Sequence, residues 1–227
     1  MKIKRLLIIP ARAGSKRIKN KNIKSFYGKP IISYSINNAI RSKLFKTIHV
    51  STDSLKIKKI SEKYNIKVRF LRSKNLSNDK VGLIKVYNDV VKKFRKIGNI
   101  YDEIWFLTPC SPLISYKNLI SASNFFKKST FNSFLAVAKF PVPIEWAASI
   151  EKNYELKFKY FKNTLIRSQN LKSYYYDTGT FGGYKSNVFY RNKKIKYAGF
   201  PIDKSIGIDI DDIEDWNLAL KFFKNVS

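Results

Sequence analysis

Leu6-Leu7-Ile8-Ile9 is a short run of strand-forming apolar residues that Pro10 stops, and a loop crowded with positive charge follows at once. Six cations lie between Arg12 and Lys24, mixed with Gly14 and Ser15. Small residues let a backbone approach a ligand closely, so that its N–H groups bond phosphate oxygens while Arg and Lys neutralise the charge. Pro30, after Gly28 and Lys29, suits the first position of a helix. The order is strand, basic loop, helix. It fits neither G-x-x-x-x-G-K-[ST] nor G-x-G-x-x-G. A solvated basic loop in a Lys-rich chain is the alternative to a phosphate site.

The same rhythm continues. Pro30–Arg41 predicts a helix with Ile32, Ile36, Ala39 and Ile40 on one face. Lys46–Ser51 reads as a strand closed by Ser51-Thr52-Asp53, and Leu55–Tyr64 as a helix capped by Asp53 or Ser54. Lys67–Leu71 is a further expected strand. Ile84, Tyr87, Val91 and Phe94 stripe a helix over 81–97. Glu103–Leu107 is a buried strand, Tyr116–Lys127 a helix and Ser133–Ala138 a strand. Such alternation implies an α/β fold with a mostly parallel, doubly wound sheet. Ligands of these sheets bind beyond the carboxyl ends of the strands, so Pro10–Asn22, Ser51–Asp53, Arg72–Asp79 and Thr108–Ser111 should converge on one crevice. Residues 140–175 break the pattern with Pro141, Pro143 and short Tyr- and Phe-rich pieces, which reads as a β arm offering aromatics to a second chain. The α/β pattern resumes at Gly179–Lys185. Ser205–Ile210 is a last expected strand and Asp211–Phe223 a last helix. The expectation is one domain over 1–227 with an arm inserted at about 140–175.

Charge narrows the function. The formal net charge is +29, with one Cys and one His in 227 residues. An intrachain disulfide, a Cys-based zinc site and a His cluster are thereby excluded. No apolar stretch is long enough to span a membrane, and no charged-then-apolar leader occurs, so a soluble cytoplasmic protein is expected. The field draws in anions, which raises a basic nucleic-acid-binding protein as the reading from a different class. The cations are spread from end to end, however, and no RNP, KH or zinc-finger pattern is present.

Near the C-terminus, Asp209 and Asp211 flank Ile210. On a strand both carboxylates face one side, which suits a hard divalent cation. Asp211 or Asp212 could instead cap the following helix. Asp53 could bind a ligand or cap a helix, and Arg72 could read a base edge or lie on the surface. Arg167, Gln169, Tyr176 and Asp177 form a polar stretch that could meet a polyhydroxylated acid. His49, inside a strand, reads as structural. Cys110 has no legible base and is not expected to be a nucleophile.

Ile9-Pro10-Ala11-Arg12-Ala13-Gly14-Ser15-Lys16-Arg17 with Lys21-Asn22 resembles the nucleotide-binding signature of the acylneuraminate (CMP-nonulosonic acid) cytidylyltransferases. Val50-Ser51-Thr52-Asp53, Arg72 with Leu76-Ser77-Asn78-Asp79, Thr108-Pro109-Cys110-Ser111-Pro112 and Asp209-Ile210-Asp211 fall in that family's order, so the resemblance spans essentially the whole chain. It implies a Rossmann-like fold of the nucleotide-diphospho-sugar transferase type. It implies transfer of CMP from CTP to an acidic nine-carbon sugar with release of pyrophosphate, with Mg2+ (or Mn2+). By the same resemblance Arg12, Ser15, Lys16 and Lys21 hold the triphosphate, within a CTP site that also takes in Ala11, Ala13, Gly14, Ser77 and Asp79. Asn22 meets the ribose, Arg72 the cytosine, and Asp209 and Asp211 the metal. Arg12, Lys16, Lys21, Asp209 and Asp211 form the catalytic set. Asp53, Thr108, Ser111, Arg167, Gln169, Tyr176 and Asp177 form the sugar site, and a homodimer is implied whose arm reaches the partner's sugar site. Ile166-Arg167-Ser168-Gln169-Asn170-Leu171 and Tyr176-Asp177-Thr178-Gly179 look most like the pseudaminic acid branch. The Thr108-Pro109-Cys110-Ser111 loop is nearer the sialic and legionaminic branch, which stand as alternative substrates.

Overall fold

The computed structural model describes residues 3–224. In chain order its strands and helices are β1 (Arg5–Pro10), β2 (Ser25–Phe26), β3 (Lys29–Pro30), α1 (Ile32–Ser42), β4 (Thr47–Ser51), α2 (Leu55–Glu62), α3 (Leu83–Lys96), β5 (Glu103–Leu107), α4 (Tyr116–Lys128), β6 (Ser133–Lys139), β7 (Ala148–Ile150), β8 (Leu156–Phe158), β9 (Tyr175–Lys185), α5 (Asn187–Tyr190), β10 (Tyr197–Pro201) and α6 (Ile213–Lys224). Six strands form one sheet in the order β10-β6-β9-β5-β1-β4. β1 runs parallel to β4 and β5, β10 runs parallel to β6, and β9 alone is antiparallel to its neighbours.

The period-two alternation of the central strands divides the core. Leu7, Ile9, Trp105 and Leu107 face a cluster with α1, α2 and α4, whereas Leu6, Ile8, Ile104 and Phe106 face α3 and α5. Helices on both faces bury the strands on both sides, which is why β1 and β5 read as continuous apolar runs. β9 lies between β5 and β6 through Gly182 and Gly183. A Cβ at Gly182 would stand 2.5 Å from the Phe134 carbonyl oxygen and 2.7 Å from the Phe106 ring, so the aromatic layer packs straight onto backbone. A third cluster joins Trp216 and Ala219 of α6 to Ile18, Phe26, Ile31 and Ile210, fixing the last helix against the basic loop.

Several expectations from the sequence are corrected. Pro30 belongs to a short hairpin: Tyr27 (φ 46°) and Gly28 (φ 80°) make its turn, Ser25 faces Pro30, and the helix starts at Ile32. Ile40 and Ile84 point outward, and Ser35 and Val86 occupy the buried faces in their place. Lys67–Leu71 alternates as a strand should, with Val68 buried, but pairs with no ladder, because the Val68 N–H is taken by the Glu62 carboxylate at 3.1 Å. Ser205–Ile210 is likewise not a strand. Asp203 accepts from the Ser205 N–H at 2.7 Å and its carbonyl from Gly207 at 3.2 Å, so those residues close into a turn. β10, which lies beside β6, was masked in the sequence by Gly199 and Pro201.

Residues 140–175 leave the sheet. β7 and β8 form an exposed hairpin, followed by 3-10 turns at Phe161–Leu165 and Ser168–Asn170 before the chain returns through β9.

Candidate active site

The carboxyl ends of β1, β4 and β5 open on one side of the sheet. There a cleft of about 510 Å³ is walled by the basic loop after β1, by Thr108-Pro109-Cys110 after β5, by Asp79 and Leu83 at the entry to α3, and by Asp209 and Asp211 before α6. Of the residues singled out in the sequence, Arg12, Ser15, Lys16, Lys21, Asn22, Asp79, Thr108, Asp209 and Asp211 line it.

The loop is held by its own chain. Asp53 does not cap α2; Ser54 does, accepting from the Ile57 N–H at 3.3 Å. The Asp53 carboxylate instead accepts the Ala13 N–H at 2.8 Å, tying the loop to the end of β4. Asn22 is buried and donates its amide to the Arg12 carbonyl at 2.8 Å. Ala11, also buried, extends β1 by donating to the Ser51 carbonyl at 2.9 Å, whereas Ala13 and Gly14 are exposed on the outer bend. Arg72 is buried behind the cleft. Its Nε donates to Ser51 Oγ at 3.1 Å and its Nη2 to the Ser51 carbonyl at 2.7 Å, which fixes the guanidinium plane at the strand end. Burial pulls its pKa down from the ordinary arginine value, and Asp53 pulls it back. Ser77 closes a local turn on the Ser73 carbonyl at 2.9 Å. Thr108 and Ser111 share a short hydroxyl–hydroxyl bond.

Opposite stand the two aspartates. They keep the expected spacing in an extended segment, with Ile210 fully buried between them. Asp212 caps α6, accepting from the Glu214 and Asp215 N–H groups at 3.0 Å. Asp211 is ion-paired with Arg17 at 2.7 Å and Lys21 at 3.1 Å. Burial works to raise its pKa, but the Lys21 and Arg17 bonds outweigh it and hold the carboxyl below its usual range. Lys21 also donates to the Ile210 carbonyl at 2.6 Å. Among the described residues no cation is ion-paired with Asp209; burial first, and then Asp211, push its pKa up to about 6, and Lys21 offsets only part of this. It lies over Gly179, whose φ of +64° and missing Cβ leave room: a Cβ there would be 2.6 Å from Asp209 Oδ2.

Beyond Asp209 a second hollow of about 530 Å³ is lined by Tyr176, Asp177, Lys204, Asp215 and the apolar Leu218 and Phe222. Arg167 and Gln169 lie apart from both hollows, exposed on the arm. Arg17 and Lys204 escaped attention in the sequence: Arg17 sat inside the run already read, and Lys204 had no patterned neighbour. Cys110 borders the cleft, but its thiol is directed at Asn22 Oδ1 at 3.4 Å and burial pushes its pKa up to about 12, against any nucleophilic role. Among the described residues no group of three or more His, Cys, Asp or Glu side chains is placed to hold a metal, and no helix is long and apolar enough to cross a membrane.

Residues 6–113 match the family described as "Cytidylyltransferase". The chain is 34% identical over 225 residues to a pseudaminic acid cytidylyltransferase of Campylobacter jejuni, covering 98% of this chain and 97% of that protein. It is 29% identical over 223 residues to a CMP-N,N'-diacetyllegionaminic acid synthase of Legionella pneumophila, covering 96% of each. In fold it is similar to a CMP:2-keto-3-deoxy-manno-octonic acid synthetase solved with CTP, with a TM-score of 0.71 over 99% of this chain and 100% of that one at 15% identity.

Proposed function

This chain belongs to the cytidylyltransferase family, and on that premise we propose that it activates a nonulosonic acid, pseudaminic acid, with CTP to give the CMP-sugar and pyrophosphate. The observation that carries the proposal is the cleft itself, where Arg12, Ser15, Lys16 and Lys21 face Asp209 and Asp211 across one opening at the strand ends. The Campylobacter relative, matched over nearly its whole length, supplies the sugar.

In this reading the cations of the basic loop take the triphosphate, Asn22 keeps the loop in shape beside the ribose, and Arg72, locked by Ser51, offers its remaining edge to cytosine. Asp209 and Asp211 fit a hard divalent cation such as Mg2+: their oxygens are the right donor type, and the burial and, after it, the Asp211 charge that raise the Asp209 pKa are both offset by a positive charge beside it. When bound, the ion would neutralise charge on the triphosphate and complete its shell with water and phosphate oxygens. The sugar's anomeric hydroxyl attacks the α-phosphorus and pyrophosphate leaves. The protein's share of the work is to align the two substrates and to balance charge. Tyr176 and Asp177, in the hollow beyond Asp209, are on the acceptor side. Thr108, which lines the cleft, and Ser111, bonded to it, meet the sugar from the loop after β5, and Arg167 and Gln169 of the arm come from a second copy of the chain in a cytoplasmic homodimer. A single domain carries the reaction, with residues 140–175 as its inserted arm.

The legionaminic reading stays open through one observation, the Thr108-Pro109-Cys110-Ser111 loop, and through the Legionella relative. Pyrophosphate release from CTP should be measured across pseudaminic, legionaminic and sialic acids. Pseudaminic acid should give the highest kcat/KM. A higher value for another acid moves the assignment to that branch, and no release with any of them overturns the reading.

A further inference from the structure

Asp79 reaches across the mouth of the cleft and gives one carboxylate oxygen to each of two cations: Oδ1 to Arg12 Nη1 and Oδ2 to Lys16 Nζ. The cations stand on the loop after β1, and Asp79 stands on the segment that leads into α3. A carboxylate spread over an Arg and a Lys reproduces what one phosphate group would offer them. The Lys16 and Arg12 bonds hold the Asp79 pKa below its ordinary value, so it is fully charged at any neutral pH. Among the described residues its own segment is hydrogen-bonded locally, by Ser77 Oγ to the Ser73 carbonyl at 2.9 Å, by the Asn78 amide to the Asn75 carbonyl at 3.0 Å, and by the Lys80 N–H to Asn78 Oδ1 at 2.9 Å. Breaking the two ion pairs therefore disturbs no sheet or helix. The Lys16 side chain is 80% exposed and that of Asp79 39%, so the pairs are weak enough to exchange.

We propose that Asp79 is a built-in stand-in for a nucleotide phosphate: in the free protein it occupies the Arg12–Lys16 pair, and it is expelled when a polyphosphate arrives. The inference rests on the reading that Arg12 and Lys16 hold the triphosphate of CTP. A carboxylate left in place would repel the incoming charge, so each binding event includes the exchange of one anion for another. Asp79 thereby weakens the hold on CTP and on the departing pyrophosphate alike, and keeps the two cations from repelling each other when the cleft is empty.

The test is calorimetric binding of CTP, inorganic pyrophosphate and cytidine to the full chain in Mg2+, for wild type, Asp79→Asn, Asp79→Ala, Lys16→Ala, Arg12→Ala and the double variant Lys16→Ala with Asp79→Ala. Both Asp79 variants should bind CTP and pyrophosphate about three- to tenfold tighter, within the range expected for losing two competing exposed ion pairs. Cytidine, which has no phosphate, should bind unchanged. Adding Asp79→Ala to Lys16→Ala should give a smaller gain than in wild type. Weaker or equal CTP binding by both Asp79 variants, while Lys16→Ala still loses affinity, overturns the stand-in and makes Asp79 a positioning residue for the cations. If Lys16→Ala and Arg12→Ala bind CTP as wild type does, the reading of the cleft falls and takes this inference with it.

Discussion

In the cleft, every lining charge except Asp209 is answered from within the chain: Asp211 by Lys21 and Arg17, and Asp79 by Arg12 and Lys16, while Asp53 answers the backbone of Ala13. In the arm, Arg167 and Gln169 are exposed, and among the described residues neither side chain makes a hydrogen bond. Apolar groups divide the same way. Ile18, Phe26 and Trp216 behind the cleft are buried, whereas Ile150, Tyr154, Phe161 and Leu165 of the arm are 69–89% exposed. A two-stranded hairpin such as β7–β8 is marginal by itself in water. The difference teaches that the cleft is preorganised within one chain, whereas the arm keeps apolar surface that this chain does not bury.

The sharpest way to break that comparison is to remove charge where the chain has concentrated it. Asp209→Asn and Asp211→Asn keep shape and should reduce turnover below roughly one-thousandth of wild type, with circular dichroism unaltered. Wild-type turnover across a Mg2+ titration in either variant would make that carboxylate structural. Asp211→Asn should also loosen Arg17 and Lys21, so it is expected to raise the KM for CTP, which Asp209→Asn does less.

An intermediate effect should come from the arm. Arg167→Ala is expected to raise the KM for the sugar about tenfold through loss of a charge-assisted contact to an acidic ligand, leaving CTP affinity unchanged. Sedimentation should give about twice the monomer mass of 26.5 kDa. A fully active monomer would cut the arm off from the acceptor side and leave its aromatics as ordinary exposed surface.

The same contrast explains what could be read in advance. β1 and β5 were legible because strands buried on both faces leave unbroken apolar runs, and the convergence of their ends with that of β4 followed from topology. The alternation of Asp209, Ile210 and Asp211 was legible although no strand carries it, since burial of Ile210 alone turns both carboxylates outward. The roles of Asp53, which grips Ala13 rather than a helix end, and of Asp79, which grips two cations, were not. Each depends on a contact 40 or more residues away in the chain, and no local pattern encodes it.

The smallest effect tests the rigid side alone. His49 of β4 is 1% exposed, packed against Phe70 and Phe94 with ring centroids at 5.0 and 5.4 Å, and its Nδ1 has no partner among the described residues. Burial, and then the charges of Lys93, Arg72 and Arg69, push its pKa from the ordinary 6.5 to about 3. Above pH 6.5 the imidazole is neutral in both folded and unfolded chains and costs nothing. Below it the unfolded chain takes up a proton that the folded one refuses, so stability falls as the pH drops from 6.5 toward 3. Asp209 acts in the opposite sense in part of this window: with a folded pKa of about 6 it is protonated in the folded chain first, and acidification from there stabilises. The carboxylates of Asp79 and Asp211, held low, lose their contribution only at more acidic pH. The difference between wild type and His49→Gln cancels these shared terms. Denaturant midpoints measured without divalent cation should therefore decline less steeply for His49→Gln between pH 6.5 and 4.5. The gap between the two curves should widen steadily on acidification. Parallel curves would mean that the imidazole reaches solvent, and that the wall behind the cleft opens as readily as the arm.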